Sequence, residues 1–152
     1  MRLVKIISGG QTGADRAGLD AAMEAGIAVS GYCPKGRLAE DVRVPDHYPL
    51  VELTKGGYAA RTEMNVVESD GTLILNVGKL TGGTKFTLDC AKKHGKPYLI
   101  VQLDEEPKHD TVLRWIEMYD INVMNVAGPR ESKCPGVYAR AKAFLSFIFV
   151  SE

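Results

Sequence analysis

The apolar run Leu3-Val4-Lys5-Ile6-Ile7 breaks without a spacer into Ser8-Gly9-Gly10-Gln11-Thr12-Gly13. Behind it, Ala14, Ala17, Gly18, Ala21, Ala22 and Ala25 recur at spacings of three and four. The run predicts a short buried strand, and the small-residue stripe predicts a helix over about 13–25 that lies close against a sheet. A strand joined to a helix by a glycine turn commits a chain to helical crossovers and hence to parallel pairing. The pattern then repeats. Apolar runs at 27–31, 72–77, 97–103 and 121–126 alternate with helical patterns at 58–69, 84–94, 110–119 and 135–149. This order predicts an α/β fold: one domain over 1–152, a doubly wound parallel sheet with helices on both faces. A chain of 152 residues is long enough for one such domain. No internal repeat or low-complexity segment interrupts it.

Local signals agree. Thr12 suits the N-cap of the first helix, with Asp15 three residues on as a short capping-box partner. Lys92-Lys93-His94-Gly95-Lys96-Pro97 puts cations, then glycine, then proline at a helix end, with His94 as a C-cap residue. Val112, Trp115, Ile116 and Tyr119 form one core stripe, and Val137, Ala141, Phe144, Leu145 and Ile148 another. Residues 34–57 differ from the rest: they are charged, carry three prolines before the strand-like 50–53, and read as the main irregular insertion.

Acidic and basic residues balance at 19 each, so the basic excess of a nucleic-acid binder is missing and any positive site must be local. No apolar run reaches the roughly 18 residues of a membrane span, and the run before Ser8 is too short for a signal-peptide core. Cys33, Cys90 and Cys134 form no metal or disulfide pattern, and Cys33 reads as a buried structural residue. His47, His94 and His109 are scattered, so no metal site is expected. A cytoplasmic protein is the expectation.

In an open parallel sheet, ligands bind beyond the carboxyl ends of the strands. The loops at that edge are 8–16, 32–37, 77–85 and 127–134. Arg16, Arg61 and Lys85 fall in or near the first turn of a helix, where a cation is unfavourable by about 0.3–1 kcal/mol. Lys35, Arg37 and Arg130 lie in loops at the same edge. Ser8, Thr12, Thr81, Thr84 and Ser132 add hydroxyls. Gly9, Gly10, Gly13, Gly82, Gly83 and Gly128 leave backbone N–H groups accessible. Together they predict a site for a phosphate or similar anion that offsets the repulsion. Thr12 and Asp15 could equally serve only as caps, and Arg16 could pair with Asp20 on the surface. Glu63 is the best-placed carboxylate for acid or base work and Asp89 a lesser one.

The segments 7–22 (ISGGQTGADRAGLDAA), 31–41, 61–75, 81–89 and 125–138 resemble the molybdenum carrier family, the molybdenum-cofactor carrier proteins. The family belongs with a Rossmann-like group that includes the Lonely-Guy phosphoribohydrolases, which cleave the base from nucleoside 5′-monophosphates. Arg61 and the pair Gly82-Gly83 match the arginine and glycines of the latter pattern. Lys85 and Phe86 replace its Gly-Thr, and Asp89 stands where a glutamate would be. The resemblance implies a homo-oligomer, dimer or tetramer, that binds molybdenum cofactor, a small anionic ligand; by charge and apolar patterning no nucleic-acid or membrane partner is expected. The alternatives it leaves open are a nucleotide hydrolase using Glu63 or Asp89 with Arg61, and a nucleotide sensor.

Overall fold

A computed structural model describes residues 3–151; Met1, Arg2 and Glu152, the ends of the predicted domain, lie outside the described residues. In chain order the elements are β1 (Lys5–Ile7), α1 (Ala14–Glu24), β2 (Ala28–Ser30), β3 (Tyr32–Cys33), a single 3₁₀ turn (Lys35–Arg37), β4 (Leu38–Ala39), β5 (Val42–Arg43), β6 (Val51–Glu52), α2 (Tyr58–Val67), β7 (Gly71–Asn76), α3 (Gly82–Lys93), β8 (Tyr98–Gln102), α4 (His109–Met118), β9 (Val123–Ala127) and α5 (Val137–Ser151). The five strands expected from the apolar runs form one parallel sheet in the order β2-β1-β9-β7-β8.

Handedness places the helices. From β1 the chain moves outward to β2, and from β7 it moves outward in the opposite direction to β8. Right-handed crossovers therefore put α1 and α3 on opposite faces. One face is covered by α1, α4 and α5. Its core joins Ala14, Ala17 and Ala21 to Leu73, Leu75, Val126, Trp115 and Leu145. The alanine stripe brings α1 down onto the sheet as expected: a β-carbon at Gly18 would stand 2.8 Å from Val126 Cβ. The other face is covered by α2 and α3, where Val66, Cys90 and Ala91 form a small apolar cluster among the described residues.

The insertion is ordered. β3 pairs with β6 in parallel, and β4 with β5 in an antiparallel hairpin. Cys33, Ala39, Val44, Tyr48 and Leu50 pack onto Leu19 at the back of α1, with Cys33 fully buried. Asp20 anchors the insertion from α1: its carboxylate accepts Tyr48 Oη–H at 2.7 Å and Tyr138 Oη–H at 2.5 Å, tying insertion, α1 and α5 together. Burial, with Asp20 beside it, raises the Tyr138 phenol to about 12.

Three local expectations change. The N-cap of α1 is Gly13, with φ 84°, and not Thr12. Asp15 caps the preceding loop instead, accepting the Gln11 N–H at 3.2 Å. Asp20 is taken by the tyrosines and does not pair with Arg16. His94 does stand at the C-cap of α3, followed by Gly95 at φ 63°.

Candidate functional site

The carboxyl ends of β1, β7 and β9 open into a cavity of about 400 Å³ between the sheet and the helices α2 and α3. This is where a doubly wound sheet leaves a crevice, because the connections from β1 and β7 diverge there. Asn125 of β9 and Asn76 of β7 form the floor. Thr62 and Asn65 of α2 face Thr84 and Thr87 of α3 across it. Arg61, Lys79, Arg130 and Lys133 stand around the rim with Tyr58.

Arg61 crosses the cavity wall to Asp15, Nη1 to Oδ2 at 2.9 Å, with both side chains nearly out of solvent. It passes so close over Gly9 that any β-carbon there would overlap the guanidinium. Its Cζ lies 5.6 Å from the Tyr58 ring centroid, within cation–π reach. Burial pushes the Asp15 carboxyl upward, against the pull of Arg61. The Arg61 Nε is buried and, among the described residues, has no hydrogen-bond partner.

The insertion supplies two further anions that sequence reasoning did not single out. Glu40 accepts hydrogen bonds from the Thr12 and Ser132 hydroxyls, from the Ser132 N–H at 3.2 Å, and pairs with Arg130 Nε at 3.2 Å. Burial alone would raise its carboxyl, but these bonds and the Arg130 charge hold it below its ordinary value. Asp41 grips Arg16 with two bonds, at 2.6 and 2.8 Å, and that contact keeps the Asp41 carboxyl low. Thr12, Arg16 and Ser132, expected to contact a ligand, are thus engaged by the protein's own carboxylates and do not line the cavity. The compensation argued from the helix dipole exists, but an internal anion provides it for Arg16.

Other residues expected at the site lie outside the cavity lining. Arg37 is buried and donates to the carbonyls of Val44, Pro45, Tyr48 and Leu50, so it holds the insertion together from within. Lys35 is exposed away from the cavity. Ser8 is fully buried and donates to the Val126 carbonyl at 2.9 Å. Gly10 packs under Val44 and Leu50, and Gly13, at its positive φ, abuts the backbone of Pro129 and Arg130, where a side chain would clash. Lys85 points to solvent because α3 starts at Gly82, two residues early, and pairs with Asp89 at 3.0 Å. Glu63 pairs with Lys93 at 3.1 Å and His94 at 2.7 Å on the outer side of α2. Neither Glu63 nor Asp89 reaches the cavity.

Gly9, Arg61, Thr81, Gly83, Thr84, Gly128 and Arg130 do line it, and Gly82 lies at the same helix start. There the structure adds two cations missed in the sequence. Lys79 and Lys133 make no ion pair among the described residues. Lys133 Nζ sits over Gly82, 2.9 Å from where a β-carbon would be. Thr81, the N-cap of α3, makes no side-chain cap bond. Thr62 and Thr84 are buried, yet among the described residues neither hydroxyl has a hydrogen-bond partner.

A five-stranded parallel sheet with helices on both faces, and a crevice over the carboxyl ends where its strand order switches, defines a Rossmann-like α/β protein. The chain belongs to the circularly permutated YpsA SLOG family, whose model matches residues 6–149. It is 45% identical to the crystal structure of a "Putative molybdenum carrier protein" from Syntrophus aciditrophicus SB, with a TM-score of 0.92 over 98% of this chain and 96% of that one. No curated protein matches the chain. Among the described residues, no helix is long and apolar enough to cross a membrane.

Proposed function

We propose that the cavity binds a small ligand carrying a phosphate and a heteroaromatic ring, molybdenum cofactor first among the candidates, and carries it unchanged. The observation behind this reading is the start of α3. Two unpaired lysines flank a helix N-terminus whose first N–H groups lack a side-chain cap. Each cation there is repelled by the dipole until an anion arrives. The unused hydroxyls of Thr62 and Thr84 and the orphaned Arg61 Nε extend the same deficit into the wall.

The lining suits the pterin phosphate of that cofactor. The rim cations match a phosphate, Tyr58 offers a ring face, and the floor offers amides and hydroxyls for a polar heterocycle. The volume of about 400 Å³ falls in the range of small-molecule sites. Among the described residues, no cluster of three His, Cys, Asp or Glu could hold a metal. Molybdenum would therefore come with its own dithiolene. The hydrolase alternative loses its proposed carboxylates, since Glu63 and Asp89 face away. Asp15, which does line the cavity, is committed to Arg61 and the Gln11 N–H.

Protein isolated without oxygen is expected to carry molybdenum and a pterin that fluoresces after oxidation. The double variant Lys79→Ala/Lys133→Ala should hold at least about tenfold less of both, because each charge-assisted bond contributes about 1.5–3 kcal/mol. Wild-type protein that lacks both and takes up neither added cofactor nor a pterin phosphate would end the reading.

A further inference from the structure

We propose that the cavity floor is a specificity subsite for the lactam or amidine edge of a fused heterocycle, a purine or a pterin, and that Asn125 reads it. This rests on the reading of the rim as an anion site. Asn125 sits on β9 opposite Ile7 of β1 and Thr72 of β7, two residues before the strand ends, and is 3% exposed. Its Nδ2 donates to Thr72 Oγ1 at 3.2 Å, which fixes the plane of the amide. The second Nδ2 hydrogen and Oδ1 remain unused among the described residues, on a side chain that lines the cavity. A carboxamide so held presents an acceptor and a donor side by side. That pair is complementary to a ring edge where a C=O or ring nitrogen adjoins an N–H, as bidentate Asn–adenine pairing shows.

The surroundings set the direction of entry. Asn76, fixed by its bond to the Gly78 carbonyl at 2.8 Å, shares the floor, with Thr62, Thr84 and Thr87 as neutral neighbours. The cations of the rim, Lys79, Arg130 and Lys133, are exposed at the mouth. A phosphate driven down to the floor would lose its hydration and meet only Arg61, whose charge is already paired with Asp15. A neutral ring edge loses little there, provided its polar atoms are met. The ligand therefore enters ring first and leaves its phosphate between the lysines. A site built around such a pair discriminates strongly, because a ligand lacking the edge leaves buried polar groups unmet.

Isothermal titration with ribose 5-phosphate, GMP and a hydroxymethylpterin monophosphate tests this. Wild-type protein should bind at least one ringed probe about tenfold or more tighter than ribose 5-phosphate, and whichever ring wins identifies purine or pterin. Asn125→Ala should erase that preference and leave ribose 5-phosphate affinity within about twofold. Asn125→Thr, which keeps a polar side chain suited to a strand, provides the same readout if the alanine variant does not fold. Ringed and ringless probes bound equally by wild type, or a preference that survives in both variants, would overturn the inference while leaving the anion site standing. Wild type that binds none of the three would remove both.

Discussion

The two faces of the sheet solve the burial problem in opposite ways. Beneath α1, α4 and α5 the interior is aliphatic, filled by Ile6, Leu73, Leu75, Val126, Leu145 and Ile148. Beneath α2 and α3 the buried side chains include Thr62, Asn65, Thr72, Asn76, Thr84, Thr87 and Asn125. Polar groups buried without partners cost stability, so a face built from them holds less of the folding energy. Some are satisfied by the backbone: Asn65 accepts from the N–H of Tyr32 and donates to its carbonyl, and Thr87 donates to the Gly83 carbonyl. Thr62, Thr84 and Asn125, which keep spare capacity among the described residues, line the cavity. One face carries the fold, and the other spends part of its stability on a place for something else.

Substitutions on each face can break that contrast. The largest effect is expected from Leu145→Ala, where a fully buried side chain leaves a hole. It should cost about 4 kcal/mol in urea unfolding, with affinity unchanged in the folded fraction. Next comes Arg61→Met, which strands the Asp15 carboxylate. A loss of about 3 kcal/mol is expected at neutral pH. Burial already raises the Asp15 carboxyl, so the deficit should shrink as pH falls and protonation relieves the unpaired charge. Adding Asp15→Leu should recover most of the loss; a double variant no better than Arg61→Met would show that the pair is not the cause.

A smaller effect belongs to the insertion. Glu40 and Asp41 are held below their ordinary carboxyl values. Their contribution is complete above the unfolded pKa, about 4, and is lost as pH falls through the lower folded values. Wild type should therefore lose more stability than Glu40→Gln/Asp41→Asn between about pH 5 and 3, by roughly 1 kcal/mol or less. Parallel curves would count against the two contacts. The smallest effect on stability should be Thr62→Val. Its hydroxyl has no partner to lose among the described residues, so unfolding should shift by less than about 0.5 kcal/mol while ligand affinity falls. A marked loss of stability there would erase the distinction between the faces.

The strands of the central sheet and the helices were legible because their signals are local, whereas the short strands β3, β4 and β5 were not. Apolar runs, an alanine stripe and a Lys-Lys-His-Gly-Lys-Pro stop each lie within one stretch of chain. The position of β9 between β1 and β7 is not local, and nothing in residues 121–126 announces it. The same division runs through the site. The loops that form its edge could be read from strand ends and glycines. Which cations remain free could not, because partners come from afar: Asp41 for Arg16, Asp15 for Arg61, Glu40 for Arg130. Lys79 and Lys133 look in sequence like ordinary surface lysines, and Asn125 like a polar interruption in a strand. The lack of an ion pair among the described residues distinguishes the two lysines, and burial beside the cavity distinguishes Asn125; both properties exist only once the chain has folded.

The place of β9 also bears on how the molecule comes into being during translation. Until residues 123–127 leave the ribosome, β1 with β2 and β7 with β8 can form only as separate halves, each presenting an unpaired edge. The strand that seals both edges also brings Asn125, and the loop behind it brings Arg130 and Lys133. No nascent intermediate can therefore contain the completed crevice. The exposure of those two inner edges ends, and the crevice is completed, when the last strand slides between β1 and β7.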